Sequence, residues 1–292
     1  LMHARALFIL AIAVIPSFAL AQTKVNRGMP LDQAGAVRIY NSVGTVRVTA
    51  WNRDSISIKG SIGKGDELHM GGTRQGVKLF VEGLDERNPA PANLDLMVPA
   101  RAKVWVKTAT ATIDVQGVTG SLDLYIVGGE IHVSGNPADV NAEAIDGSIR
   151  IDGSPAWARA KSASGDVTFD GTSPDVTMST VSGRISVNGK DFEKAKFESV
   201  TGSIRFAGTF APGGLVNFDT HSGSIDLQIP SSSGADFDVV SIAGSIVNKL
   251  TSRRPGAGRY GRGAELITSN GQGGTSVVIR TFKGPVTLLK SN

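Results

Sequence analysis

Ala163-Ser-Gly-Asp-Val-Thr-Phe-Asp-Gly171, Val181-Ser-Gly-Arg-Ile-Ser-Val-Asn-Gly189 and Val200-Thr-Gly-Ser-Ile-Arg-Phe-Ala-Gly208 are three copies of one short unit. Outward from these units, the first glycine recurs at Gly129, Gly147, Gly165, Gly183, Gly202, Gly223 and Gly244, with Ala111 in the same place upstream. The interval is eighteen four times running, then nineteen, then twice twenty-one. A near-constant period of this length is the mark of a chain that stacks one supersecondary unit on the next. A second glycine stands six residues after the first at Gly117, Gly135, Gly153, Gly171 and Gly189.

Aligned on the first glycine, the units become columns. Two and four residues after it come Ile113 and Val115, Ile131 and Val133, Ile149 and Ile151, Val167 and Phe169, Ile185 and Val187, Ile204 and Phe206, and Ile225 and Leu227. Seven and five residues before it come Val104 and Val106, Leu122 and Leu124, Val140 and Ala142, Ala158 and Ala160, Val176 and Met178, Ala195 and Phe197, Val216 and Phe218, and Phe237 and Val239. Apolar residues two apart lie on one face of a pleated strand, so each coil carries two inward-facing strands. Three residues before the glycine stand Ser162, Thr180, Ser199, Thr220 and Ser241, which suit an interior corner where a hydroxyl bonds the backbone. The fold expected is all-β: a single-stranded β-solenoid, or β-helix, of about 18–21 residues per coil, with the right hand favoured. Each coil adds two or more buried Val, Ile or Phe side chains, worth about 1.5 to 3 kcal/mol each, so interfaces between coils dominate stability.

The rest of the chain fits the same ruler. Val37, Ile39, Val46 and Val48 around Gly44 form an earlier station, and Val277, Ile279, Val286 and Leu288 around Gly284 the last one. Residues 22–103 form a β-rich N-terminal section that opens the solenoid, with strands at Ile56 and Ile58, at Val77, Leu79 and Val81, and at Leu94, Leu96 and Val98. Residues 104–292 are the regular solenoid, interrupted at 250–274 by a Gly/Arg-rich insertion expected to fold as a hairpin or loop over the last open edge. At the start, Arg5, an apolar run from Ala6 to Ile15, Pro16 and Ala19-Leu-Ala21 have the pattern of a secretory signal peptide over residues 1–21. No later run reaches the roughly 20 apolar residues of a membrane helix, so the mature chain is expected to carry no transmembrane span. With no cysteine, the domain rests on its packed core alone. These features point to an exported bacterial protein that is periplasmic, at the cell surface or secreted.

The net charge of +4 falls by one when Arg5 leaves with the leader. The outward position between the two apolar residues after the glycine reads Asp114, His132, Arg150, Thr168, Ser186, Arg205, Asp226. That mixture is a solvated face rather than a groove for nucleic acid. Arg253, Arg254, Arg259, Tyr260 and Arg262 are the one concentrated basic cluster, a candidate contact for anionic polysaccharide, lipid headgroup, phosphate or a protein partner. No catalytic, cofactor-binding or metal-binding residue is assigned. His69, His132 and His221 neither recur nor show metal-ligand spacing. Asp139, Asp146, Asp152, Asp166, Asp170 and Asp175 sit at or near turns, where Asp is a preferred residue, although carboxylates on stacked coils could also approach at glycosidase distances of roughly 5 to 10 Å.

The three repeat units, with Trp51-Asn-Arg-Asp54, Leu94-Asp-Leu-Met-Val-Pro99 and the closing Ile279–Leu288 stretch, resemble the bacterial putative adhesin family with β-strand repeats, a domain of unknown function. The resemblance runs from about residue 35 to 290 and implies a β-solenoid. It carries over no catalytic residue and no cofactor. It implies a non-enzymatic envelope or cell-surface protein offering an elongated β-surface to glycan, wall polymer or protein. A periplasmic scaffold or sensor of envelope stress is the alternative, and a polysaccharide-active enzyme on a β-helix a further one.

Overall fold

The structure, a computed structural model, describes residues 22–258 and 261–291. The expected leader therefore lies outside the described residues, as do Arg259 and Tyr260. The described chain is a solenoid of β-strands joined into one hydrogen-bonded sheet that is folded into two faces. Long strands such as Lys103–Gln116 and Ser121–Gly135 run from the first face round the corner into the second. Neighbouring coils pair in parallel, and the inward columns are direct register partners. On the second face Ile131 stacks on Ile149, Val167, Ile185 and Ile204 in turn. On the first, Leu122 stacks on Val140, Ala158, Val176, Ala195 and Val216. All of these are buried, so period-two alternation and the coil-length repeat together build one continuous apolar interior.

The interior changes character along its length. Around Val140, Ala142, Ala158 and Ala160 the first face is thin. Further on, Phe169, Phe192, Phe197, Phe206, Phe210 and Phe218 fill it, their ring centroids 5.1 to 6.2 Å apart. Phe192 enters from a bulge after Gly189, which explains why the spacing first lengthens there.

The corner is held by the hydroxyl column. Ser162 donates to the Gly147 carbonyl at 2.8 Å and accepts the Gly165 N–H at 2.9 Å, so one hydroxyl ties its own glycine to the glycine of the coil before. Ser241 does the same with the Gly284 carbonyl and the Gly244 N–H. The glycines are required by closeness: a Cβ on Gly202 would stand well under 3.0 Å from the Gly183 carbonyl oxygen. Gly202→Ala should therefore force the two coils apart and cost about 1 to 3 kcal/mol, read as a lowered urea midpoint with an unchanged slope.

The stacking order departs from the chain order at both ends. The sequence places the Gly284 coil last; the structure places it last but one. Val216 on the strand Ile204–Thr220 pairs with Val277, and Val277 pairs with Phe237, so the final coil slides between the two that precede it in sequence. The second face repeats this, with Ile225 on Val286 and Val286 on Ile246. The N-terminal end mirrors it. The strand Ala36–Trp51 lies between Lys103–Gln116 on one side and Gly76–Glu82 and Ala92–Pro99 on the other, so the first station is not the outermost coil. Antiparallel strands then close each end: Glu67–Thr73 and Ser55–Gly63, backed by Gln22–Pro30, at one, and Ala264–Asn270 against Ala235–Ser241 at the other. The coils of Gly44 and Gly284 thus gain a neighbour on each side and the first-face edges are covered, while among the described strands Ile246–Lys249 pairs only with Val286–Ser291. The physical reason is that every coil presents the same register of apolar pairs, so any coil can stack on any other.

Candidate functional site

The outer side of the second face spends its charges on itself. Arg47 pairs with Asp95 at 2.6 Å and Asp114 at 3.5 Å. His132 then lies between Asp114 at 3.3 Å and Asp152 at 2.9 Å, and Arg150 closes on Asp152 at 2.6 Å. Asp95, Arg47 and Asp114 alternate in sign on adjacent strands, and Asp152 takes up both His132 and Arg150, which leaves little field to attract a charged ligand. His132 is thus a member of a charge ladder rather than a lone surface histidine. The other two histidines are also engaged: His69 stacks on Phe80 at 4.7 Å beside Glu82, and His221 on Phe282 at 5.1 Å.

The outer side of the first face differs at its N-terminal end. Tyr40, Trp105 and Tyr125 stand on adjacent strands, with centroids 4.8 Å apart for the first pair and 5.8 Å for the second. The Lys78 ammonium sits 5.1 Å from the Tyr40 ring and 5.5 Å from Phe80, extending the run to the Phe80–His69 stack. Arg38, Lys78, Lys103 and Lys107 are exposed around these rings. The Tyr125 hydroxyl is anchored by the Asn141 side-chain amide at 3.0 Å, and its pKa is pushed up by burial and by the carboxylates of Asp123 and Glu143. The phenol therefore stays neutral and able to donate. The aromatics are segregated by type: the largest buried rings are all Phe, whereas Tyr40, Trp105 and Tyr125 are half-buried. The mixed charges on the outward column of the second face give no sign of this platform. The signal was the outward column of the first, where Arg38 and Trp105 stand six residues before the station and Tyr40 and Tyr125 four.

The basic cluster is placed at the C-terminal cap. Arg253, Arg254 and Arg262 are exposed. Arg253 and Arg254 precede the short strand Gly256–Ala257, and Arg262 lies in the turn beyond it, lining a cleft of about 300 Å³ with Asp238, Glu265, Ile267 and Arg280. The Asn248 side chain, in place of an inward apolar residue, closes the turn by donating to the Arg253 carbonyl at 2.7 Å. Asp236 fastens the cap, accepting from the Ser269 hydroxyl and the Gly274 N–H, which together hold its carboxyl below the usual carboxylate range. The turn carboxylates are spent between coils: Asp146 accepts from Ser164, Asp166 from the Arg184 N–H, and Asp170 from Asn188. Among the described residues no three His, Asp or Glu side chains group so as to hold a metal ion.

Residues 156–288 match the family model Toastrack DUF4097. The matched region takes in the coils from Trp157 to Leu288 and contains all three repeat units that carry the adhesin resemblance, whereas the aromatic platform lies upstream of it. Among solved structures, a putative adhesin from Bacteroides fragilis is 12% identical, covering 93% of this chain and 99% of that one, with a TM-score of 0.48. A putative adhesin from Parabacteroides distasonis is 11% identical, covering 91% and 97%, with a TM-score of 0.36. A putative cell adhesion protein from Clostridium sporogenes is 11% identical, covering 92% and 100%, with a TM-score of 0.24. No curated protein matches the chain.

Proposed function

We propose that the chain is a non-enzymatic, exported protein of the bacterial envelope or cell surface that holds an acidic glycan against the aromatic platform. The observation that carries this reading is the Tyr40–Trp105–Tyr125 run on three adjacent strands, with Arg38, Lys78, Lys103 and Lys107 around it and Asp123 and Glu143 confined to its Tyr125 side. Ring faces bury the apolar C–H side of a sugar, their polar edges meet its hydroxyls, and the cations select one that carries carboxylates. The signal-peptide pattern and the adhesin resemblance support an exported location. No helix among the described residues is long and apolar enough to cross a membrane.

A panel of uronic-acid-containing and neutral polysaccharides, titrated by calorimetry, tests the reading. Binding should favour the acidic members and weaken with salt, and Trp105→Ala should weaken it at least about tenfold, the range of a central aromatic contact. Equal binding of neutral polymers, or binding untouched by Trp105→Ala, would remove the platform from the function. Depolymerisation of any of them would favour the enzymatic alternative.

A further inference from the structure

Along the corner between the two faces, the residue two before each station glycine points outward. From Val127 to Ile242 these corner residues stack directly, the backbone carbonyl of each accepting an N–H from the next coil at 2.7 to 3.1 Å. Six of the eleven exposed large apolar side chains of the described chain fall in this one column: Val127, Ile145, Val181, Val200, Phe282 and Ile242, each 40 to 54% exposed. With Ala163 and His221 between them they form a straight apolar ridge of eight positions, about 34 Å long at one strand spacing per coil. A continuous exposed stripe of this kind marks a contact surface.

The order of residues says what covers it. Reversing the ridge about a two-fold axis midway between the coils of Val181 and Val200 sets Val181 against Val200, Ala163 against His221, Ile145 against Phe282 and Val127 against Ile242. The smallest member thus meets the imidazole. The flanking rows are complementary in charge under the same operation. Glu143, Lys161, Ser179, Glu198, Asp219 and Arg280 stack on the first-face side of the ridge. Reversal pairs Glu143 with Arg280 and Lys161 with Asp219. On the other side it pairs Asp146 with Lys283. No like charges meet. A slip of one coil either way sets Glu143 against Asp219, or Lys161 against Arg280, so the flanks also select the register. Within one chain Glu198 and Asp219 are like-charged cross-strand neighbours, and Asp219 is pushed above the usual carboxylate range by burial and then by Glu198. Lys161 of a second copy would add a cation there.

We propose that this ridge is the interface of an antiparallel homodimer of the chain, with its two-fold axis between the coils of Val181 and Val200. The interface is isologous, as a two-fold contact must be. The flanking row continues to Tyr125 at one end and Val240 at the other, so the Tyr125 edge of each platform meets the partner's Val240 while Tyr40 and Trp105 stay free at opposite ends of the pair, and a dimer would engage glycan at two separated points.

The test is sedimentation velocity on the full-length protein from micromolar to hundreds of micromolar, with cross-linking to fix the register. A concentration-dependent dimer is expected. Val181→Glu, on an exposed position that leaves the thermal melt unchanged, should raise its dissociation constant at least about tenfold. Lys161→Glu should weaken it, and Lys161→Glu with Asp219→Lys should restore it. Ile145→Cys with Phe282→Cys should give a disulfide-linked dimer under oxidation. Those two positions are five strand spacings, about 24 Å, apart within one chain but face each other across the axis. Either single cysteine should remain unlinked. A monomer at every concentration, a dimer indifferent to Val181→Glu, or cross-linking by Ile145→Cys alone would overturn the proposal. Glycan binding by a strict monomer would overturn it while leaving the platform reading intact.

Discussion

A chain ending before Ser276 should fail to fold over its whole C-terminal third. Val277, Ile279, Val286 and Leu288 are completely buried, and at about 1.5 to 3 kcal/mol each their loss removes roughly 6 to 12 kcal/mol, as much as a typical domain's entire stability. The position of the coil enlarges the effect. It is sandwiched between Ile204–Thr220 with Ile225–Pro230 on one side and Ala235–Ser241 with Ile246–Lys249 on the other, so its removal orphans two interfaces and detaches the cap strand Ala264–Asn270. Limited proteolysis should show cleavage spreading from about residue 210 to the new end, with a resistant fragment from the earlier coils. Were the coil merely the last of the row, only one edge would fray and residues 235–249 would stay protected.

Ile185→Asp should be the most damaging single substitution at the centre of the rod. Ile185 is fully buried between Val167 and Ile204 on neighbouring strands. Truncating such a side chain costs about 2 to 5 kcal/mol, and a lone carboxylate there adds several more because nothing nearby can pair with it. The sign of the pH dependence follows. Burial raises the folded-state pKa of the new acid above its unfolded value, so the penalty grows as the pH rises through that interval and shrinks below it. Urea denaturation at pH 4 and pH 7, each referred to the parent protein, should show the larger loss at pH 7. Ser186→Asp, one residue on and facing outward, should change stability by no more than about 0.5 kcal/mol. Equal effects at positions 185 and 186 would mean that the strand does not alternate as described.

The columns were legible because two periods act together. Alternation assigns each strand a face, and the coil-length repeat places Ile149, Val167 and Ile185 above one another, as the register confirms. The hydroxyl column was legible for the same reason, since Ser162 and Ser241 recur where the chain must turn. The order of the coils was not. A period shows that coils stack but not which stacks on which, and the Gly284 coil fits between its predecessors as well as after them. The longer stretch from Gly244 to Gly284 gives the chain the length to cross over and return. The corner ridge was not legible, because alternation breaks at a bend and a period of two does not give the direction of Val181 or Val200. Trp105 and Tyr125 lie on consecutive strands, but Tyr40 stands 65 residues before Trp105, and only alignment of the first-face columns brings the three together. The arginine-rich insertion belongs to no period at all. Composition drew attention to it, and the fold places it in the cap.

Native-state hydrogen exchange, resolved by segment, tests the central claim most directly, because spatial order and chain order predict opposite gradients at the C-terminal end. With the final coil tucked inward, amides of Ser276–Thr281 and Val286–Ser291 should be protected nearly as strongly as those of Ile204–Thr220, and Ala264–Asn270 and Ile246–Lys249 should exchange first. Protection that instead falls steadily along the sequence, with residues 276–291 opening before 235–241, would contradict the account.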